Sequence, residues 1–214
     1  MKIVGFPVDV SQVRDPRMVH GLRIRQALLQ ATLDLIQAGD NRPSAMAIAT
    51  IAGVAAHDLE RMFQSIADLY AAAFDLAVSR GFDHAGRVDP AAPLSNRVEL
   101  LVSDRAQLFE EWLPVWHFAG RLKEAAPAVG ARVDALRKVL RERLADWFAA
   151  ELGPLEPRTR AMVLDSLDAA FGIDSWLKLR QRLKLSPDRA SQTWRFAAQS
   201  VAFQALGVSA AAAA

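Results

Sequence analysis

The stretch from residue 23 to residue 70 constrains the fold of this chain more than any other part of its sequence. Its apolar residues fall at helical spacing in three short segments and the start of a fourth. An Ala-Gly-Val turn joins the second and third segments, and its Gly53 permits the left-handed backbone of a tight turn. Ser44 is placed to cap the second segment, and Ser65 with Asp68 forms a capping box for the fourth. This layout predicts a helix-turn-helix.

The composition favours an all-α protein with a sizeable core. The chain has 214 residues, of which 52% are hydrophobic, and its ten prolines fall mainly between helix-like stretches. The absence of cysteine excludes disulfides and thiolate zinc sites and fits a cytoplasmic location. No apolar run is long enough for a transmembrane helix, so we expect no membrane partner.

Prolines and glycines divide the chain into predicted segments. We expect a flexible arm over residues 1–16, the helix-turn-helix domain over residues 17–64, a larger helical domain over residues 65–207 and a low-complexity tail over residues 208–214. Within the larger domain we predict a helix break at Pro114. One long helix is predicted over residues 128–152, another over residues 158–185, and a last helix from Pro187 to residue 206.

The chain resembles the TetR family of one-component transcriptional regulators. The resemblance runs without gaps from about residue 23 to residue 69, and it rests on the residues Ala31, Leu35, Gly39, Ser44, Ile48, Ala49, Ala52, Gly53, Val54, Leu59, Phe63, Ser65 and Leu69. A looser match covers Asp174-Ser175-Trp176, Leu179-Arg180 and Leu185-Ser186-Pro187. The resemblance implies a three-helix DNA-binding domain, an effector cavity in the larger helical domain, and a homodimer formed by the last two helices.

Several positions depart from the family pattern, and most lie where the family contacts DNA. Ala55 replaces the usual serine of the turn, Ile66 replaces a phosphate-contacting lysine, and acidic side chains stand at Asp58 and Glu60. Residues 1–87 contain nine Lys/Arg and nine Asp/Glu, so this part of the chain has no net charge. Duplex-binding domains usually carry a basic face, because neutralising phosphates supplies most of the affinity.

The side chains left to contact a double-stranded DNA operator are Arg42, Ser44, His57 and Arg61. His57 can donate to a phosphate or to guanine, and Arg61 can make a bidentate guanine contact. Simpler roles are also open: Asp58 and Glu60 can favour the positive end of the helix dipole, and Arg61 can pair with either in water.

Aromatic residues of the C-terminal half are the candidates for binding a small apolar effector. The predicted lining consists of Phe109, Trp112, Trp116, His117, Trp147 and Phe171. Ordinary core packing is the alternative for each of them. The predicted dimer interface consists of Trp176, Leu183, Trp194, Val201 and Phe203, because we expect them to present more apolar surface than one subunit can cover.

No pattern indicates catalysis. The four histidines have no metal-ligand spacing, and the sequence holds no GxSxG, glycine-rich phosphate loop or cysteine nucleophile. We therefore expect no enzyme, no metal and no cofactor. The adjacent Glu110 and Glu111 are interpreted as part of a solvated helix face. The leading hypothesis is a ligand-responsive regulator, a repressor acting as a homodimer. The alternative is a TetR-fold protein that binds a small molecule or lipid and has lost DNA binding.

Overall fold

The described part of the chain is built from helices joined by short connections and contains no strand. The computed structural model describes residues 15–84, 89 and 91–205, and the side chains of residues 15–82, 89 and 91–200. The helices are α1 (Pro16–Gln37), α2 (Ala45–Ala52), α3 (Ala56–Met62), α4 (Ile66–His84), α5 (Leu94–Leu122), α6 (Pro127–Trp147), α7 (Ala149–Leu152), α8 (Pro157–Phe171), α9 (Ile173–Leu177) and α10 (Pro187–Ala205). A π-helical turn, Lys178–Arg182, follows α9. The all-α fold class is confirmed.

Two compact units divide these helices. The described residues of the first unit are 15–84 and 112–134, and those of the second are 89, 91–111 and 135–205. Helices α1 to α4 belong wholly to the first unit, and α7 to α10 belong wholly to the second. The predicted arm and tail lie almost wholly outside the described residues.

The first three helices of the first unit have the predicted helix-turn-helix geometry. The hydroxyl oxygen of Ser44 accepts from the backbone N–H of Ala47 at 3.1 Å and so caps α2. Gly53 ends α2 in the left-handed region, with φ 65°, where a side chain would be strained. The buried Leu28 of α1 and Ile48 of α2 form part of the core beneath them. The local sequence signals therefore place α2 and α3 as expected.

Helix α4 is held to the end of α5 by aromatic pairs within the first unit. Tyr70 meets Phe118 edge to face, with ring centroids 5.0 Å apart. The indole N–H of Trp112 donates to the carbonyl oxygen of Ala77 at 3.2 Å. At the start of α4, Asp68 N–H donates to the Ser65 hydroxyl at 3.2 Å, which is the serine half of the predicted capping box. The hydroxyl in turn donates to the Asp68 carboxylate at 2.7 Å. The contacts of Tyr70 and Ala77 therefore hold α4 against the C-terminal part of α5.

The prediction of a helix break at Pro114 is wrong. Helix α5 runs without interruption from Leu94 to Leu122, with Pro114 inside it. A proline inside a helix costs about 3 kcal/mol. Burial of Trp112, Trp116 and Phe118 on both sides of the proline offsets that cost, at about 1.5–3 kcal/mol for each large apolar side chain.

Two of the long helices predicted from the sequence are each divided in the structure. The predicted helix over residues 128–152 ends at Trp147 and resumes as the short α7. The predicted helix over residues 158–185 breaks at Gly172, where the backbone is extended with φ −67° and ψ 158°. A Cβ atom at Gly172 would lie 2.7 Å from the carbonyl oxygen of Asp168. The break therefore depends on glycine at this position.

Trp176 and Trp194 form the core of the second unit. Both side chains are buried within their own chain, and their ring centroids lie 4.6 Å apart. Phe109 and Phe171 pack edge to face against Trp194. The argument that one subunit cannot cover these two tryptophans is therefore wrong. Of the other predicted interface residues, Leu183 is exposed, whereas the side chains of Val201 and Phe203 lie outside the described residues.

Candidate functional site

The four predicted DNA-contacting side chains lie at the exposed surface of the helix-turn-helix. Arg42 and Ser44 stand at the N-terminal end of α2, and His57 and Arg61 stand one turn apart on α3. The Ser44 oxygen accepts the cap hydrogen bond from Ala47, so its own hydroxyl hydrogen remains available to donate. The geometry therefore presents donors at the two places where a helix-turn-helix meets DNA.

Asp58 holds Arg61, the strongest donor of α3, and lies near His57. Its carboxylate accepts from Arg61 at 2.8 Å, and it lies 3.8 Å from the imidazole of His57. The Asp58 side chain is only 15% exposed, whereas those of His57 and Arg61 are 76% and 61% exposed. The interpretation of Arg61 as an ion-pair partner of Asp58 is thus confirmed. The Asp58 carboxylate therefore competes with a base edge for the guanidinium of Arg61.

The surface of α2 and of the turn after it carries no charge. Met46 and Ile51 of α2 are exposed, and residues 45–56 contain no charged side chain. Ala55 precedes α3 without a side-chain cap, as expected from the missing serine. This surface offers few groups that bind phosphate.

Two hydrogen bonds attach the loop before α2 to helices α4 and α5. The Tyr70 hydroxyl of α4 donates to the carbonyl oxygen of Pro43 at 2.5 Å. Arg121, near the end of α5, donates to the side-chain oxygen of Asn41. Burial raises the pKa of Tyr70 above its usual value of 10.0, so the hydroxyl remains a donor at neutral pH. These two contacts connect the residues that precede Ser44 to α4 and to the end of α5.

The predicted effector-lining residues are divided between the two units. Trp112, Trp116 and His117 belong to the first unit, whereas Phe109, Trp147 and Phe171 belong to the second. Trp112, Trp116, Phe109 and Phe171 are buried, and His117 and Trp147 are half-buried. The indole N–H of Trp147 donates to the carbonyl oxygen of Arg97 at 3.1 Å. Packing explains the positions of several of these residues, and their role in a cavity remains a prediction.

A different cavity lies within the second unit, at the break between α8 and α9. Its volume is about 200 Å³, and its polar lining consists of Arg137, Asp168, Asp174 and Ser175. None of the predicted effector residues lines it. The sequence contained one signal for this place, because Asp174 and Ser175 belong to the second, looser family match.

The interpretation of Glu110 as a solvated residue is wrong. Its carboxylate accepts from the Trp176 indole at 2.7 Å and from two guanidinium nitrogens of Arg180, at 2.6 and 3.1 Å. Arg180 also donates to the carbonyl oxygen of Leu185. Glu110 thus fixes the π-helical turn that links α9 to α10. Its neighbour Glu111 is exposed, as the sequence predicted.

Arg105 is a second buried group that the sequence did not identify. Its guanidinium donates to the carbonyl oxygens of Phe171, at 2.7 Å, and Leu140, at 2.8 Å. Loss of hydration lowers the pKa of Arg105 to about 10, so it stays charged at neutral pH. It joins α5, α6 and α8 next to the cavity described above.

Structural comparison shows the fold shared by this chain. The chain is similar to a transcriptional regulator from Rhodococcus sp. Rha1, with a TM-score of 0.61 and 15% identity over 86% of this chain and 96% of that one. It is also similar to a proposed transcriptional regulator from Pseudomonas aeruginosa PAO1, with a TM-score of 0.58 and 19% identity over 93% of this chain and 98% of that one. No family model and no curated protein sequence matches the chain. At these identities the likeness establishes the fold alone.

Two classes of site are not found among the described residues. No group of three or more His, Cys, Asp or Glu side chains is arranged to hold a metal ion there. No described helix combines the length and apolar character needed to cross a membrane.

Proposed function

We propose that the protein is a transcriptional regulator that binds a double-stranded DNA operator through α2 and α3. The observation that carries this proposal is the helix-turn-helix itself, with a serine-capped α2, a left-handed turn at Gly53 and exposed donors on α3. In such a module the second helix enters the major groove while the first contacts the backbone. Arg61 would bind guanine, and Arg42 with Ser44 would bind phosphates.

The operator-bound form is proposed to be a homodimer. Two copies of α3 would then enter successive major grooves about 34–36 Å apart. With Trp176 and Trp194 buried, the interface is expected on the exposed faces of α8 and α10, where Met162 and Phe196 are exposed. Phe196→Asp should shift the protein to monomer in sedimentation, whereas the control Met18→Asp, on α1, should not. A monomeric parent protein would refute this arrangement.

We further propose that an apolar effector binds among α4, α5 and their neighbours and releases the DNA, so that the protein acts as a repressor. The support is the chain of contacts from the α4–α5 aromatic pairs to the loop before Ser44. Apolar compounds that bind should change the fluorescence of Trp112 or Trp116 and weaken operator binding in parallel. A compound that binds without changing DNA affinity would contradict this coupling. The proposal includes no catalytic step and places the protein in the cytoplasm.

The decisive experiment is selection of bound sequences from a random duplex pool, followed by anisotropy measurements on the selected site. Arg61→Ala should weaken binding by about 1–3 kcal/mol and relax the preference at one base pair in each half-site. The control Lys138→Ala, on α6, should leave affinity unchanged. If no sequence is enriched, the proposal fails.

A second candidate is a protein with this fold that binds a small molecule or a lipid and no longer binds DNA. Asp58 favours it, because this carboxylate holds Arg61 and lies beside His57. The lack of net charge over residues 1–87 points the same way. Anisotropy with random duplex across a salt series separates the two candidates. Undetectable binding even at low salt supports the second one, since phosphate contacts alone give measurable affinity there.

A further inference from the structure

The cavity between α6, α8 and α9 is built into the sequence of the second unit. It exists because α8 ends at Gly172, where any Cβ atom would collide with the carbonyl oxygen of Asp168 at 2.7 Å. The extended backbone at Gly172 starts α9 in a new direction and leaves a space of about 200 Å³. Sites for drug-sized ligands usually measure about 300–1,000 Å³. An occupant of this cavity is therefore a small molecule.

Opposite charges line this cavity. The guanidinium of Arg137 lies 3.1 Å from the carboxylate of Asp174, and their side chains are 43% and 65% exposed. Exposed pairs of this kind contribute about 0–1 kcal/mol. A carboxylate on a ligand can therefore replace Asp174 at Arg137 with little loss. The other lining carboxylate, Asp168, lies 3.6 Å from Arg141 and is 37% exposed.

Charges of both signs line the cavity. Arg137 is the lining cation, and Asp168 and Asp174 are the lining carboxylates. A ligand with only one kind of charge would be attracted by one set and repelled by the other. A ligand that carries both charges can satisfy Arg137 and Asp168 at the same time. The mixed lining therefore favours a zwitterion.

We propose that this cavity binds a small zwitterion with a carboxylate, an ammonium group and a short apolar body, in the manner of an amino acid. The carboxylate lies on Arg137, the ammonium lies on Asp168, and the apolar body contacts Leu140, Ala169 and Ile173. This site is separate from the apolar effector site proposed above. It does not depend on whether the protein binds DNA.

Three further groups complete the site or link it to the core. The Ser175 oxygen accepts from the Trp194 indole at 3.1 Å, which leaves its hydroxyl hydrogen able to donate to a bound carboxylate. Trp194 packs against Trp176, which donates to Glu110. An occupant of the cavity therefore contacts Ser175, whose hydrogen bond to Trp194 joins α9 to α10. Binding should thus stabilise the second unit against unfolding.

Calorimetric titration of the full chain with three probes tests this proposal. L-Leucine carries both charges, L-leucine methyl ester lacks the carboxylate, and N-acetyl-L-leucine lacks the ammonium group. We expect leucine to bind at least tenfold more tightly than either derivative, a factor that corresponds to about 1.4 kcal/mol. Equal binding of the three probes, or no leucine binding at about 10 mM, would overturn the proposal.

Two variants assign the charges to their partners. Arg137→Gln should remove the preference for leucine over its ester, because the ester lacks the group that Arg137 binds. Asp168→Asn should remove the preference for leucine over N-acetyl-leucine. The control Lys138→Gln alters an α6 side chain that pairs with Glu142 outside the cavity and should change nothing. Circular dichroism confirms that each variant is folded, and an unchanged preference in folded Arg137→Gln would refute the assignment.

Discussion

Asp58→Asn is the substitution that tests most directly how α3 functions. The change removes the carboxylate that holds Arg61 at 2.8 Å and lies 3.8 Å from His57. It keeps the size of the side chain and one acceptor oxygen, so the fold of α3 should persist. Arg61 then loses its ion pair and becomes more available to DNA. We expect the variant to bind DNA more tightly than the parent protein.

The size of the effect follows from the exposure of the pair. Arg61 is 61% exposed, and pairs with an exposed partner contribute about 0.2–1 kcal/mol. Release of Arg61 in the parent protein therefore costs at most about 1 kcal/mol per subunit, compared with about 1–3 kcal/mol for a bidentate guanine contact. Removing this cost should tighten binding by up to about fivefold per subunit. The free energy of unfolding should fall by about 0.3–1 kcal/mol, because Asp58 lies in the first turn of α3.

Glu60→Gln is the matched control. It removes one negative charge from the same helix without touching the Asp58–Arg61 pair. Anisotropy on the selected operator and on random duplex, at several salt concentrations, compares the two variants. If both raise affinity equally, the effect is one of net charge and the pairing argument is refuted. If Asp58→Asn acts only while Arg61 is present, the pair itself limits binding.

Three further predictions concern stability, each measured by urea unfolding. Burial raises the pKa of Asp75 in the folded state above its usual value of 3.8. The free energy of unfolding should therefore fall as the pH rises from that usual value through the raised pKa. Asp75→Asn should abolish this fall. Glu110→Gln should cost about 1–3 kcal/mol by leaving its charged partner unsatisfied, whereas Glu111→Gln should cost little. Gly172→Ala should destabilise by about 1–3 kcal/mol through its steric collision, whereas Gly120→Ala, which meets nothing within 4 Å, should stabilise by about 1 kcal/mol.

The helix-turn-helix could be predicted because its signals are local. Ser44 lies three residues from the N–H that it caps, and the turn at Gly53 needs only one residue in the left-handed region. The helix break predicted at Pro114 was wrong because tertiary packing decides whether a helix tolerates a proline. The cost there is about 3 kcal/mol. Trp112, Trp116 and Phe118 offset it by packing against residues of α4 that are distant in sequence.

The second unit could not be predicted in detail because its partners are far apart in the chain. Glu110 and Arg180 are 70 positions apart in the chain. Trp176 and Trp194 pack against each other within one subunit. Apolar character predicts that a tryptophan is buried, but not whether its own chain or a partner covers it. The cavity at Gly172 could not be predicted from the sequence for the same reason. Its walls come from α6 on one side and from α8 and α9 on the other.

The Asp58 pair also bears on the selectivity of the proposed regulator. A phosphate contact by Arg61 exchanges one exposed ion pair for another, so the pair with Asp58 cancels most of its gain. A bidentate guanine contact is worth more than the pair and keeps a net gain. The pair therefore leaves Arg61 contributing to operator binding but hardly to random binding, and in a homodimer it does so twice. Residues 1–87 carry no net positive charge, so little non-specific affinity for DNA is expected. The base contacts would then decide how strongly the regulator prefers its operator over random DNA.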